Sequence, residues 1–383
     1  MAPKTKKNIA ILSITLGSGG AEKVISLLLK ELRKDYNVTL VLFHNSIHFP
    51  IPDDIAIKIL SDNPPDRAFY LKFIDTFGYI IKYYRFVKRN KIGISISFLA
   101  FPNLINGIVS TFNKKVKTII SERGFPSDNV TSKLSFYISK LFYPIFYNKC
   151  HKLFSNSVHI NNDLKDNFGI KIPMEVIYNP IELPQQTIEP ASLNINTEKL
   201  KGITAGTLNK RKNQIMIVRA IEASNLNYDF TILGGGDLEN YLSEEIRKAN
   251  LEKSVVLGGK VKNVNEHLLS NHYFVLCSFT EGFPNALLEA MAIGLPCISS
   301  NCLSGPLELL NENKEITIND GEFYIGKYGL LVNNDDHIGL SKAMDYFHNN
   351  PNEREKFSAL SLQRATQYNL ENIYAKFKQF IES

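Results

Sequence analysis

Two patterns alternate along the chain. Short, continuous runs of Ile, Val, Leu and Phe recur, and amphipathic stretches with apolar residues at helical spacing separate them. In the first half the apolar runs cover 8–16, 37–43, 92–98, 116–121, 152–155 and 174–178. They are unbroken rather than alternating, as parallel strands buried on both faces require. Helical patterns fill 21–34, 67–90 and 131–148, and 44–66, with Pro50, Pro52, Pro64 and Pro65, reads as a long loop. Asn179-Pro180, Pro184 and Pro190 then punctuate a polar stretch, to about residue 197, that reads as a linker. The alternation restarts beyond it. Strands are expected at 202–205, 229–233, 254–257, 273–277, 296–299 and 329–332. Helices are expected at 214–223, 238–249, 285–293, 305–310 and 337–348, with a helical, charged tail over 351–383. Two successive βα series predict an α/β protein of two doubly wound, Rossmann-like domains facing across a cleft. The expected bounds are 1–183 and 184–365, with 366–383 a C-terminal helix set to pack back on the first domain.

The 383 residues are 44% hydrophobic, enough to bury two cores without a disulfide or metal staple. Cys150, Cys277, Cys297 and Cys302 include no C-x-x-C pair, so reduced cysteines and no metal site are expected. The net charge of +6 is divided unevenly. Residues 1–180 carry 25 Lys/Arg against 13 Asp/Glu, and residues 181–383 carry 19 against 25. A basic half suits an anionic surface or ligand; an uneven surface is the plainer alternative.

A basic start followed by the apolar run 8–16 resembles a signal peptide, but no small-x-small cleavage pattern follows, so a buried first strand and a cytoplasmic protein are expected. No apolar run reaches the length of about 18 residues that spans a bilayer. The segment LSFYISKLFYPIFY, 134–147, is aromatic, apolar and followed by Lys149 and Lys152. It fits a buried core helix and a helix lying on a membrane surface equally well. YYRFVKRNK, 83–91, is a second basic, aromatic cluster in the same half.

Three turns carry candidate chemistry. Gly17-Ser18-Gly19-Gly20-Ala21-Glu22 joins the first strand to the first helix, where helix N–H groups can meet an anion; simple tight packing is the alternative. A dinucleotide fingerprint needs glycine where Glu22 stands, which excludes the nicotinamide reading. Gly206-Thr207-Leu208-Asn209-Lys210-Arg211-Lys212-Asn213 follows the first strand of the second domain. Three adjacent cations there can neutralise a diphosphate, and within an acidic half they are out of character for a merely solvated loop. Glu281-Gly282-Phe283-Pro284-Asn285 places Pro284 in the first helical turn, with Glu289 further along that helix. Carboxylates suit sugar hydroxyls and helix N–H groups suit phosphate. The spacing alone leaves an acid favoured by the helix dipole and an ordinary surface Glu equally open.

EGFPNALLEAMAIGLPCIS resembles the E-x7-E signature of retaining glycosyltransferase family 4, of GT-B fold. GSGGAEKV, VIYNPIE, LGGGDLENYL, GGKVKNV and YGLLVNNDD follow in that family's order, and SNCLSGPLELL resembles the form seen in bacterial polysaccharide and lipopolysaccharide enzymes. The resemblance implies a nucleotide-sugar donor, expected to be UDP-linked, held mainly by the second domain. Glu289 would bind ribose hydroxyls and Glu281 the donor sugar. Gly282, Phe283, Pro284 and Asn285 would form the loop offering N–H groups, and Lys212 would hold the diphosphate. Lys260 and Val261 would contact the base, and Gly19 and Gly20 would line the diphosphate and acceptor side. Many members have arginine where Thr207 stands, a role left to Arg211 or Lys210. Many have histidine after the fourth strand of the first domain, where this chain has Glu122-Arg123. Glu281, Lys212 and Glu122 are therefore the expected catalytic groups.

The implied chemistry is metal-independent retaining transfer of a hexose or N-acetylhexosamine to a lipid-linked or polysaccharide acceptor, with no cofactor. The departing phosphate takes the acceptor proton, and its charge is stabilised by Lys212 and helix N-termini. No D-x-D occurs in the chain. An epimerase on the same architecture and a non-enzymatic sugar-binding protein are the rivals. Nucleic-acid binding lacks a motif context. Peripheral attachment to the anionic cytoplasmic face of the inner membrane completes the expectation.

Overall fold

The computed structural model describes residues 6–63, 69–128 and 133–383. The chain divides into two compact units, Met1–Pro180 with Leu370–Ser383, and Ile181–Asn369. The first carries β1 (Asn8–Ser13), α1 (Gly20–Asp35), β2 (Asn37–Leu42), β3 (Ala56–Ile59), α2 (Phe69–Arg89), β4 (Ile94–Phe98), α3 (Ala100–Phe112), β5 (Lys117–Glu122), α4 (Lys133–Tyr147), β6 (Lys152–Ser155), α5 (Val158–Phe168) and β7 (Met174–Val176). Its sheet is parallel, in the order β3-β2-β1-β4-β5-β6-β7. Right-handed crossovers running both ways from β1 put α1 on one face and α2 to α5 on the other. Tyr83 of α2 and Ile105 of α3 share one core cluster with Ala10 and Val41 of the sheet, and Tyr147 of α4 and Leu164 of α5 share another with Ile120 and Leu153.

The second unit carries β8 (Leu200–Ala205), α6 (Ile215–Ala223), β9 (Tyr228–Leu233), α7 (Glu239–Lys248), β10 (Val255–Gly259), α8 (Val264–Leu269), β11 (Tyr273–Leu276), α9 (Asn285–Ile293), β12 (Cys297–Ser300), α10 (Pro306–Asn311), β13 (Phe323–Ile325), β14 (Leu330–Val332), α11 (His337–Asn349) and α12 (Pro351–Thr366). Its order is β10-β9-β8-β11-β12-β14-β13, parallel except for the antiparallel β13–β14 pair. The final helix, α13 (Leu370–Glu382), belongs to the first unit. There Tyr374 Oη and Lys378 Nζ donate to Asp35 at 2.7 and 2.6 Å, and Lys117 Nζ donates to the Ile381 carbonyl at 2.8 Å.

Several elements depart from the sequence pattern. β3 lies inside the expected loop 44–66; it is a four-residue edge strand with three exposed positions, too short and too open for a core signature. The polar stretch expected as a linker is laid largely on the second unit. Ile181 N–H donates to the Tyr368 carbonyl at 2.9 Å, and the buried Arg354 Nε donates to the Leu193 carbonyl at 3.2 Å. Pro64, Pro65 and the expected helix starts at Arg67 and Thr131 lie outside the described residues.

Candidate active site

In the second sheet the strand order turns back on itself at β8, which pairs with β9 on one side and β11 on the other. Connections from β8 and β11 leave in opposite directions, so their loops diverge around a crevice at the strands' carboxyl ends. The basic turn follows β8 and the Glu281 loop follows β11.

The basic turn is tightly specified. Leu208 is fully buried and anchors it. Asn209 caps the 3-10 turn Lys210–Lys212 by accepting from Lys212 N–H at 3.1 Å. Asn213 takes the left-handed conformation and donates to Asp335 at 3.1 Å. Gln214 Nε2 donates to the Thr207 carbonyl at 3.0 Å. Beneath it runs the glycine segment after β9, where Gly234 has φ +132° and a Cβ there would come 1.8 Å from the Gly206 carbonyl oxygen. Backbone therefore packs directly on backbone.

Glu281 joins the two loops. Its carboxylate accepts from Lys212 Nζ at 2.5 Å, Arg211 Nη1 at 3.4 Å and Ser278 Oγ at 2.5 Å. Arg211 Nη1 also donates to the Thr280 carbonyl, and Phe279 N–H donates to the Arg211 carbonyl at 2.8 Å. Glu281 is 5% exposed. Burial alone pushes its carboxyl pKa up, but the Lys212 and Arg211 charges and the donated hydrogen bonds more than offset this and hold it below the ordinary value. The backbone carbonyl of Glu281 accepts from Ser304 Oγ.

In the first unit, β5 ends at Glu122, which is buried. Tyr147 Oη, from α4, donates to its Oε2 at 3.0 Å. Burial raises this carboxyl from its ordinary 4.5 to about 7, against the lowering effects of the Tyr147 and Asn103 side chains, the Arg123 N–H and the Arg123 charge. Asn103 fixes the end of the strand by donating to the Ser121 carbonyl at 2.8 Å and accepting from Ser121 N–H at 3.3 Å. The Arg123 guanidinium is held between the Phe98 and Phe154 rings, 5.3 and 5.1 Å from their centroids, and donates to Asn179 at 3.0 Å. At the other candidate turn, Gly19 precedes α1 and Gly20 begins it. The Glu22 side chain folds back so closely that a Cβ on Gly19 would meet its Oε2 at 2.3 Å.

Residues 18–185 match the family model described as Glycosyltransferase Family 4, and residues 185–363 match Glycosyl transferases group 1. The chain belongs to glycosyltransferase family 4. Relatives of this family 4 member include two Campylobacter jejuni enzymes. The N-acetylgalactosamine-N,N'-diacetylbacillosaminyl-diphospho-undecaprenol 4-alpha-N-acetylgalactosaminyltransferase is 28% identical over 88% of this chain and 89% of its own. The GalNAc-alpha-(1->4)-GalNAc-alpha-(1->3)-diNAcBac-PP-undecaprenol alpha-1,4-N-acetyl-D-galactosaminyltransferase is 26% identical over 97% and 98%. The structure of Anabaena HepE in complex with UDP-glucose matches with a TM-score of 0.75 at 14% identity, covering 98% of this chain and 99% of that one. The fold is GT-B.

Within the family 4 chain, the structure brings Lys212, Arg211 and Glu281 onto one another. Arg211, and not Lys210, supplies the second cation at Glu281. Thr207 is exposed on the same turn. Lys260 and Val261 follow β10, and the Lys260 stem lies across Gly235, where a Cβ would come 2.9 Å from its Cε. Gly282 and Phe283 are buried, the Phe283 ring lying 5.5 Å from that of Tyr368. Pro284 departs slightly from expectation. It caps α9 from outside (φ −77°, ψ 96°) instead of lying in the first turn, and Asn285 begins the helix. Its ring is hemmed in by Gly305, whose hypothetical Cβ would come 2.4 Å from Pro284 Cδ. Glu289 is half-buried on α9. Sequence reasoning missed Ser278, Asn103, Tyr147 and Asn179. Ser278 had a signal, three residues before Glu281; the others act across the fold from elements remote in sequence.

Proposed function

We propose that the protein is a retaining hexosyl- or N-acetylhexosaminyltransferase that takes its sugar from a UDP-linked donor and delivers it to a lipid-linked acceptor in bacterial surface-glycan synthesis. The observation that carries this reading is the placement of Arg211 and Lys212 on Glu281 at the carboxyl ends of β8 and β11. An ammonium has three donors and a guanidinium five, so each cation retains N–H groups for a diphosphate while bound to the carboxylate. The Lys212–Glu281 contact also sets the lysine's position in advance, which lowers the ordering cost of binding.

In this reading Glu281 receives hydroxyls of the donor sugar, Glu289 the ribose, and the start of α9 offers N–H groups to donor oxygens. The acceptor hydroxyl attacks the anomeric carbon on the face from which the diphosphate departs. The C–O bond to the diphosphate breaks as the new C–O bond forms, and the leaving phosphate takes the acceptor proton. Lys212 and Arg211 stabilise the charge left on it. Glu122, whose carboxyl pKa burial lifts to about 7, is assigned in this reading to the acceptor, as the group that accepts a hydrogen bond from the incoming hydroxyl while the leaving phosphate takes the proton. The two Campylobacter jejuni relatives, whose names give undecaprenol-linked acceptors and N-acetylgalactosaminyl transfer, support a lipid-linked acceptor and an amino sugar.

Thermal melts against UDP, GDP and their sugars test the donor. UDP and a UDP-N-acetylhexosamine raise Tm, and Lys212→Ala abolishes the rise. Selective stabilisation by GDP-sugars would overturn the UDP assignment. NMR of the product then reads the anomeric configuration, and inversion would overturn the retaining mechanism.

A further inference from the structure

We propose that α2 and α4 form one membrane-docking face, which seats the first unit on an anionic bilayer. The claim stands on surface chemistry and does not depend on the donor assignment. On α2, Ile74, Phe77 and Ile81 recur at helical spacing and are exposed; on α4, Tyr137, Leu141 and Ile145 do the same. Phe77 and Tyr137 are each 66% exposed. Every other helix exposes at most one large apolar side chain among the described residues. Such a run on a water-soluble surface marks an interaction site.

The two helices lie on the same side of the sheet. α3 runs between them, in contact with both and mostly buried. α3 approaches α4 so closely that a Cβ on Gly107 would come 2.3 Å from the Phe146 carbonyl oxygen. α4 is not a core helix left uncovered. Its inner side is already partnered, with Tyr143 and Tyr147 stacked at 4.5 Å and Tyr147 bonded to Glu122. The apolar outer side is a separate feature. The inner side of segment 134–147 fits the core reading, and the proposal assigns the membrane reading to its outer side.

Charge selects the occupant. α4 contains no acidic residue, and Lys140 is exposed among its apolar side chains. Lys149 follows α4, and Arg85 and Lys88 are exposed on α2. A second copy of the chain, paired symmetrically through this face, would set these cations against themselves. An anionic lipid surface takes the apolar side chains into the headgroup boundary and pairs the cations with lipid phosphates. No described helix is long and apolar enough to cross a membrane, so both helices would lie along the surface. Crossover helices run opposite to parallel strands, so their amino-terminal ends lie at the sheet edge where β5 ends in Glu122. A lipid-linked acceptor would then reach Glu122 from the side on which its lipid is anchored.

The chain has no tryptophan, so Phe77→Trp installs a single fluorophore on the face without removing its apolar character. Phosphatidylglycerol-containing vesicles should shift its emission to the blue, and brominated lipids should quench it. Tyr241→Trp, exposed on α7 of the second unit, should show neither effect. In flotation, the Phe77→Ser/Leu141→Ser double variant should bind these vesicles on the order of tenfold more weakly than wild type. Its thermal melt should be unchanged without vesicles. Pure phosphatidylcholine should recruit little of either protein. Vesicle-insensitive Phe77→Trp emission, or equal flotation of wild type and double variant, would overturn the proposal. A dimer in sedimentation velocity that the double variant dissolves, without vesicle binding, would also overturn it in favour of self-association. Flotation of a wild type that UDP fails to stabilise would uphold the docking face and sink only the donor assignment.

Discussion

Lys212 Nζ lies 2.5 Å from Glu281 Oε1, joining the loop after β8 to the loop after β11 through two mostly buried charges. Removing one partner leaves the other charged and desolvated, at a cost of about 3 kcal/mol for a buried pair. Lys212→Met should therefore destabilise the protein by roughly that amount, measured by urea denaturation at neutral pH. Glu281→Gln should cost less, because the lysine is the more exposed partner (15% against 6%). Lys212→Met/Glu281→Gln should recover much of the stability but not donor binding. Donor affinity restored in the double variant would show that the pair is purely structural.

The same pair fixes a pH dependence. The Glu281 carboxyl is held below its ordinary value of 4.5 in the folded state. Its contribution is fully present above that ordinary value and is lost as pH falls through the depressed folded value. The acid limb of the stability profile should thus be shallower in Glu281→Gln than in wild type. An identical acid limb would remove Glu281 from the groups whose protonation unfolds the protein.

Glu122 has the opposite sign. Burial raises its carboxyl to about 7, so the folded state holds a proton that the unfolded chain releases from near 4.5 upward. Stability from this group falls as pH rises across that window and levels off above it, by about 3 kcal/mol in all. Glu122→Gln mimics the protonated form and should gain on wild type as pH rises, with the difference constant above neutrality. Parallel profiles for the two proteins would mean that Glu122 is ionised across the window.

Tyr147→Phe tests how that carboxyl is tuned. The lost hydroxyl donates to Glu122 and lowers its pKa, so the variant's carboxyl should titrate at higher pH, read by carbon NMR of labelled glutamate. If Glu122 works on the acceptor in its ionised form, the acid limb of kcat against pH moves up with it, while the thermal shift by UDP stays put. A fall in kcat with an unmoved pH profile would make Tyr147 a packing residue only.

The sequence carried more of the second unit than of the first. The six strands expected in each unit are all present, but the first unit adds two unexpected helices, α3 and α5, whereas in the second the expected helix 285–293 is α9 to the residue and, of the helices, only the short α8 is unforeseen. What escaped the pattern has local causes. β13 is three residues long and mostly exposed. α3 places Pro102, Asn103, Asn106 and Gly107 where an apolar stripe would stand, because its inner face is a polar network. Asn103 accepts from Ser97 Oγ at 2.8 Å and Asn106 from Ser95 Oγ at 2.7 Å, so β4 and α3 meet through hydrogen bonds. At the candidate site, residue types were legible and pairings were not. Three adjacent cations raise the expectation of an anion site, but only the folded turn shows Arg211 and Lys212 on Glu281 with Lys210 left exposed.

Gly234 offers a separate test of how the basic turn is held. Its φ of +132° already disfavours any other residue, and a Cβ would sit 1.8 Å from the Gly206 carbonyl oxygen, which belongs to the backbone of the turn and has no side-chain freedom to yield. Gly259, at φ +65° with nothing within 4 Å, separates strain from collision. Gly259→Ala pays only for a left-handed backbone, about 1 kcal/mol. Gly234→Ala must also push the β8 turn away from the β9 turn, and with it Lys212, so its loss should reach about 3 kcal/mol or more. Urea denaturation of both variants measures the difference, and UDP melts report the turn. Gly234→Ala should lose the UDP shift, whereas Gly259→Ala should keep it. Equal destabilisation of the two variants would mean that the turn yields freely, and that backbone-to-backbone packing does not fix the position of Lys212.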